Sequence, residues 1–323
     1  MEKAERIACG IDVAKAKLAV CVVVKEGKRK DREFDNDAAG HRKLLSWVEN
    51  LAGERVVHYC MEWTGKYGTA LTKHLDAAGK TVSVVPPQRV KHYGVSRGVM
   101  NKTDKVDAWV IAEFCRMIKP PAWQRPQAQV EALTALTRRL QDLEEERLRE
   151  RNRLKEPGQH REVRASGRRM VKRIEDEIAR LRQTIDEHVG RHPRMREDKA
   201  LLKTIPAIAD KTALLLMAEL ASVENGGTAK SAAARAGLYP VECTSGTSVH
   251  KRARMSKAGT SHIRRGLYMP AVVAKRCNPL VRDLYERLLE RGLSKKAAIG
   301  ACMRKLLMIA FGVLRTRTAF SAT

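Results

Sequence analysis

Two short apolar runs, residues 7–11 and 55–61, each end on a single carboxylate, Asp12 and Glu62. Runs of this length, bounded by polar residues, read as buried strands. An acid at the end of such a strand is expensive if it merely faces a core. The pattern therefore asks for a sheet whose strands finish side by side, where charge has a use.

Neighbouring segments supply that sheet. Residues 17–24 read as a second strand closed by a turn at Gly27, 30–34 as a third that pairs with it, and 81–85 as a further strand stopped by Pro86-Pro87. Helical spacing covers 41–48, behind the start signal Asp35-Asn36-Asp37, and 67–78. A third helix opens at Asp104 and runs to Ile118, with Val106, Trp109, Val110, Phe114 and Ile118 as an apolar stripe. The order predicts a mixed sheet flanked by helices.

Asp104 and Asp107 lie three residues apart on that helix and share a face. Two like charges there repel unless solvent screens them or a cation bridges them. The plain alternative is a pair of surface acids at a helix N-terminus, where the dipole favours them. Taken with Asp12 and Glu62, they make a four-carboxylate set suited to one or two divalent ions held through oxygen.

These acids sit in a basic chain. The 323 residues carry 63 Lys and Arg against 37 Asp and Glu, a formal charge of +26. Solubility alone needs far less. Hydrophobic residues make up 43%, too many for a disordered tail. A polyanion partner follows, nucleic acid ahead of membrane. No run reaches the length expected of a transmembrane helix, and no signal peptide core follows the charged N-terminus. Seven cysteines at long spacings, without a CxxC pair, fit free thiols in a reducing cytoplasm.

After a connector at 120–130, residues 130–154 and 165–189 read as two long charged helices broken at Pro157-Gly158, an antiparallel hairpin or arm. From about residue 196 the pattern is mainly helical, with helices over 211–220, 229–236, 261–273, 280–291 and 294–314. Within it, the segment Glu242-Cys243-Thr244-Ser245-Gly246-Thr247-Ser248-Val249 packs hydroxyls around a glycine. The stretch from Lys230 to Arg276 has ten Lys or Arg and one acid. Arg252, Arg254, Lys257, Arg264 and Arg265 are its dense centre, suited to phosphate contacts or to a solvated face. Composition alone favours a turn or phosphate-binding hydroxyl for Ser245 over a nucleophile.

The motifs Gly10-Ile11-Asp12-Val13-Ala14-Lys15, Glu62-Trp63-Thr64-Gly65-Lys66-Tyr67 and Asn101-Lys102-Thr103-Asp104-Lys105-Val106-Asp107-Ala108 come in a specific order. They are followed by Ala236-Gly237-Leu238-Tyr239-Pro240, Ser245-Gly246-Thr247-Ser248, Arg254-Met255-Ser256-Lys257-Ala258-Gly259, Tyr268-Met269-Pro270-Ala271 and Met303-Arg304-Lys305-Leu306. In order and spacing the chain resembles the DEDD transposases of bacterial insertion sequences, a family that includes bridge-RNA-guided recombinases. The resemblance runs over almost the whole chain. It implies an α/β RNase H-like (RuvC-type) N-terminal domain over residues 1–125 and a long helical coiled-coil arm with its linker over 126–195. A mainly α-helical C-terminal transposase domain over 196–323 would carry the catalytic serine.

By the same resemblance, Asp12, Glu62, Asp104 and Asp107 are catalytic and bind magnesium (Mg2+). Ser245 is the nucleophile that links covalently to DNA, with Ser248 as its nearby competitor. The implied partners are donor and target DNA, a noncoding bridge RNA, and further copies of the chain, a homodimer that assembles to a tetramer on nucleic acid. The implied setting is the bacterial cytoplasm, at the nucleoid. Two alternatives use the same residues differently: a structure-selective metal-dependent nuclease that employs water, and a non-catalytic nucleic-acid-binding protein. Two departures from the family stand out. Ala207-Ile208-Ala209 replaces a Gly-Ile-Gly hairpin after Ile205-Pro206, and Trp63 replaces a small residue, either packed beneath the site or stacked on a base.

Overall fold

The computed structural model describes residues 7–25, 28–63, 65–99, 101, 103–224, 227–245 and 249–322. The chain forms two compact units, Met1–Arg125 and Pro126–Thr323.

The first unit contains β1 (Ile7–Val13), β2 (Lys17–Lys25), β3 (Lys28–Asp35), α1 (Ala38–Ala52), β4 (Val57–Glu62), α2 (Thr69–Ala77), β5 (Thr81–Val85), α3 (Pro87–Ser96) and α4 (Asp104–Ile118). The strands form one sheet in the order β3-β2-β1-β4-β5. β2 runs antiparallel to β1 and β3, while β4 is parallel to β1 and β5. This is the RNase H-like arrangement that the sequence leads one to expect. β1 is central and buried on both faces, which explains its unbroken apolar run. One face carries Ile7, Cys9, Ile11 and Val13, covered by Leu44 and Val48 of α1 and Leu71 and Leu75 of α2. The other face is built from small residues under α4. β3 is an edge strand, and its exposed Lys, Arg and Asp side chains guard that edge against further pairing.

Local signals place the helix ends. Asp37 caps α1 by accepting from the Gly40 N–H at 2.7 Å. Pro87 stands at the first position of α3, a helix beyond those the sequence predicts, because Pro86-Pro87 both stops β5 and starts a helix. Pro193 does the same for an unforeseen helix in the second unit.

The second unit begins with α5 (Ala128–Arg153) and α6 (Arg161–Gly190), which pair antiparallel. Arg182 bonds Glu144 at 3.0 Å, Arg151 pairs with Glu175, and His188 Nε2 lies 2.8 Å from the Gln129 carbonyl. Leu133, Leu140 and Leu143 meet Ile174, Ile178 and Ile185 in the seam. The elements that follow are α7 (Pro193–Lys203), α8 (Asp210–Glu224), α9 (Ala229–Arg235), β6 (Pro240–Ser245), β7 (Val249–Met255), α10 (Ser261–Cys277), α11 (Pro279–Glu290) and α12 (Lys295–Thr316). The hairpin pair is more than a spacer. Thr134 Oγ1 donates to the Ala218 carbonyl at 3.2 Å, and Arg138 forks onto Glu219 of α8.

One expectation needs correcting. By length and composition α12 is long and apolar enough to cross a membrane. Its Cys302, Leu306, Leu307, Ala310 and Phe311 are instead buried in the helical core of the second unit. The turn between α7 and α8 keeps a left-handed residue without glycine: Ala207 has φ 78°, while Ile208 N–H donates to the Ile205 carbonyl at 3.0 Å. The turn survives with strain on the alanine.

Candidate carboxylate site and serine hairpin

β1 and β4 pair in parallel with Gly10 beside Cys60 and Ile11 beside Met61, so Asp12 and Glu62 finish neighbouring strands one step later. Alternation puts Asp12 on the face of Gly10 and Glu62 on the face of Cys60. Cys60 belongs to the α4 side of the sheet, as does Ala19, the β2 partner of Asp12. Both carboxylates therefore occupy the α4 face at the carboxyl end of the parallel strands.

The direction of α4 brings the other two acids to the same end. Near its C-terminus, Cys115 Sγ lies 3.6 Å from the His58 carbonyl, at the start of β4. Further back, the backbone of Ala112 and Ala108 rests on Gly10. The N-terminal turn, with Asp104 and Asp107, thus comes to where β1 and β4 end. Thr103 caps the helix, its Oγ1 accepting from the Val106 N–H at 3.3 Å. Gly10 makes this approach possible. A Cβ there would lie 2.8 Å from the Ala112 Cα and closer still to the Ala108 carbonyl oxygen and the Ala112 nitrogen. Sequence reading had passed over Gly10, although a glycine inside an apolar strand marks close backbone approach.

Asp12, Glu62 and Asp107 are half-buried and Asp104 is exposed. Among the described residues, no three of His, Cys, Asp and Glu form a group able to hold a metal ion. The acids share an end of the sheet without making a closed cage. Magnesium takes one or two carboxylates and completes its shell with water and substrate phosphate oxygens. The donor set, all oxygen, also fits a hard cation and not a soft one.

Asn36 fastens the loops around these strands. Its Nδ2 donates to the Ala14 carbonyl at 2.9 Å and to the Tyr67 carbonyl at 3.1 Å, two residues past Asp12 and five past Glu62. With both amide hydrogens used, Oδ1 accepts a hydrogen bond from the His41 Nε2–H at 2.9 Å. Burial, then the nearby His74, holds the His41 imidazole below its ordinary range.

In the second unit, Ser245 is the last residue of β6 and pairs in register with Val249 at the start of β7. Gly246, Thr247 and Ser248 lie outside the described residues. Ser245 thus stands at the tip of a β-hairpin, where sequence reading saw only a hydroxyl-rich segment. The base of the hairpin is tied by the backbone. Ser256 N–H donates to the Tyr239 carbonyl, Lys257 N–H to that of Gly237 and Thr260 N–H to that of Arg235. Gly237 has φ 64° and Gly259 φ 127°, and a Cβ on either would strike backbone.

Of the five basic residues, Arg254 and Lys257 are exposed. Arg252 lies within β7. The Arg264 guanidinium is committed to the carbonyls of Ala236 at 2.8 Å and Thr260 at 3.1 Å, and Arg265 pairs with Glu145.

Residues 9–157 match a transposase family model of the DEDD type, and residues 199–286 match the model for the transposase IS116/IS110/IS902 family. The chain belongs to the DEDD transposase family. The first match encloses all four acids and the second encloses Ser245. Over 313 residues, covering 96% of each chain, the transposase is 29% identical to the pilin gene-inverting protein of Moraxella bovis and equally to that of Moraxella lacunata. It is 31% identical over 154 residues to an uncharacterised 44.8 kDa protein of insertion element IS116 from Streptomyces clavuligerus, 47% of this chain and 38% of that one. This is an enzyme of DNA transposition and recombination, and its relatives are bacterial.

Proposed function

We propose that this transposase cuts and rejoins DNA through a serine-linked intermediate, with magnesium held by Asp12, Glu62, Asp104 and Asp107. The observation that carries the reading is the meeting of two strand ends and one helix start, each bearing acids, at one end of an RNase H-like sheet. When bound, the metal supplies positive charge to a phosphate and lowers the pKa of a hydroxyl that it ligates. The chain's own residues do the rest. The four carboxylates would hold one or two cations between them and so orient the backbone phosphate. Ser245 Oγ loses its proton and forms a bond to phosphorus as the bond to the leaving strand's hydroxyl breaks. Attack on the phosphoserine by a hydroxyl of the new strand reverses the step, so phosphodiester energy is conserved and no nucleotide cofactor is needed. Arg252, Arg254 and Lys257 neutralise the backbone nearby.

The surplus of positive charge supports a second nucleic acid, a structured noncoding RNA that pairs with donor and target DNA. A dimer assembling to a tetramer would provide the two pairs of cuts that strand exchange requires. The work takes place at the bacterial nucleoid.

Suicide DNA substrates test the chemistry. A covalent adduct should form with magnesium and vanish in Ser245→Ala and Asp12→Asn; an adduct that survives Ser245→Ala removes the serine, and cut ends without any adduct indicate a hydrolytic nuclease. Sequencing RNA from the purified protein, then comparing recombination with and without it, tests the guide. A second reading is favoured by the two Moraxella relatives, which match end to end and are named for inverting a pilin gene. Under it the same cut-and-rejoin chemistry inverts a segment between two sites. A plasmid carrying the element's ends in opposed orientation separates inversion from excision.

A further inference from the structure

We propose that Trp63, with Tyr67, is a stacking platform for an unpaired base at the carboxyl end of the sheet that carries the acids. The proposal deepens the catalytic reading of the sheet's carboxyl end and rests on it.

Aromatic residues are scarce, 4% of the chain. Most of the tryptophans of the first unit are engaged. Trp47 packs on Phe34 with ring centroids 5.6 Å apart. Trp109 lies under the Arg29 guanidinium, and Trp123 is half-buried. Trp63 differs. Its side chain is 53% exposed and that of Tyr67 48% exposed. Among the described residues no ring or guanidinium stacks on either.

Their place is the informative part. Trp63 directly follows Glu62, and its N–H extends the ladder to the Val85 carbonyl at 2.9 Å, so the backbone beneath the indole is fixed to the sheet. Tyr67 is anchored through its carbonyl by Asn36. Exposed lysines stand at the same end: Lys15 after β1, Lys66 between the two rings in sequence, and Lys105 in the first turn of α4. Cations that track a backbone, interleaved with aromatic faces, make up the usual surface for single-stranded nucleic acid. A stacked base in a duplex has no free face to offer. The platform therefore selects a locally opened strand, and it does so with little regard to base identity.

Anisotropy of a fluorescein-labelled single-stranded oligodeoxynucleotide of mixed sequence, titrated with the full-length protein, tests this. A matched duplex is the control. Trp63→Leu keeps apolar bulk without a π face; it should weaken single-strand binding roughly ten-fold or more and leave duplex binding within about two-fold. Trp63→Phe should retain most of the affinity. Equal losses on both substrates, or full single-strand affinity in Trp63→Leu, overturn the platform. Asp12→Asn serves as the independent arm. Should it bind single strands normally yet cleave nothing, the catalytic reading holds whatever becomes of Trp63; should it cleave normally, that reading falls while the binding data still judge the platform.

Discussion

Replacing Gly10 with alanine should damage the site without touching any acid. A Cβ at this position points into the backbone of α4, 2.8 Å from the Ala112 Cα and nearer still to two further backbone atoms. Carbon atoms in ordinary contact stand about 3.5–4.0 Å apart. The helix must therefore lift by roughly 1 Å, because no flexible side chain can yield in its place. Overpacking of this kind costs about 1–3 kcal/mol or more. For a unit of 125 residues, that lowers Tm by several degrees per kcal/mol. The larger effect is on chemistry. α4 carries Asp104 and Asp107 in its first turn, and a displacement of about 1 Å in a reacting constellation costs on the order of a hundred-fold in rate. Calorimetry and adduct formation on suicide DNA measure the two effects separately. Gly94→Ala is the matched control, since its Cβ would meet only the Val110 side chain, at 3.4 and 3.9 Å, and a helical alanine gains about 0.5–1 kcal/mol over glycine. Adding Ala112→Gly to Gly10→Ala should not rescue it, because the colliding atoms are backbone. A Gly10→Ala protein with wild-type Tm and full cleavage would refute the account of how the acids meet.

Other outcomes follow from the same structure. Ala207→Gly should stabilise the second unit by about 0.5–1 kcal/mol, since relief of a left-handed alanine exceeds the entropy returned to the unfolded chain; a lowered Tm would contradict the strain. Arg138→Ala should cost about 3 kcal/mol because Glu219 is only 2% exposed, and Arg138→Met with Glu219→Leu should cost far less; denaturant titrations compare the two. His41 is held below its unfolded value, so beneath about pH 6.5 the unfolded chain binds more protons than the folded one. Stability is complete above that pH, falls as pH drops through it, and levels off below the folded value. His41→Gln should flatten this part of the melting profile, and an unchanged slope would assign it elsewhere.

Much of this protein was legible along the chain because the deciding forces are local. Apolar runs of strand length, the cap at Asp37 and the long charged repeats of α5 and α6 each act within a few residues, and each predicted element is present. Where two local meanings compete, the chain was ambiguous: Pro87 both stops β5 and starts α3. The β6–β7 hairpin was hidden for another reason. Its pairing joins residues up to fifteen apart, from Pro240 to Met255, and its two strands carry few large apolar residues. The acids show the division most clearly. Their positions at strand and helix ends were plain in the sequence. That they share one end of the sheet was decided by parallel register and by a glycine at which backbone meets backbone, interactions between segments fifty and about a hundred residues apart. Ala207 marks the same boundary from the other side, since tertiary packing holds its turn in a conformation that its own side chain resists.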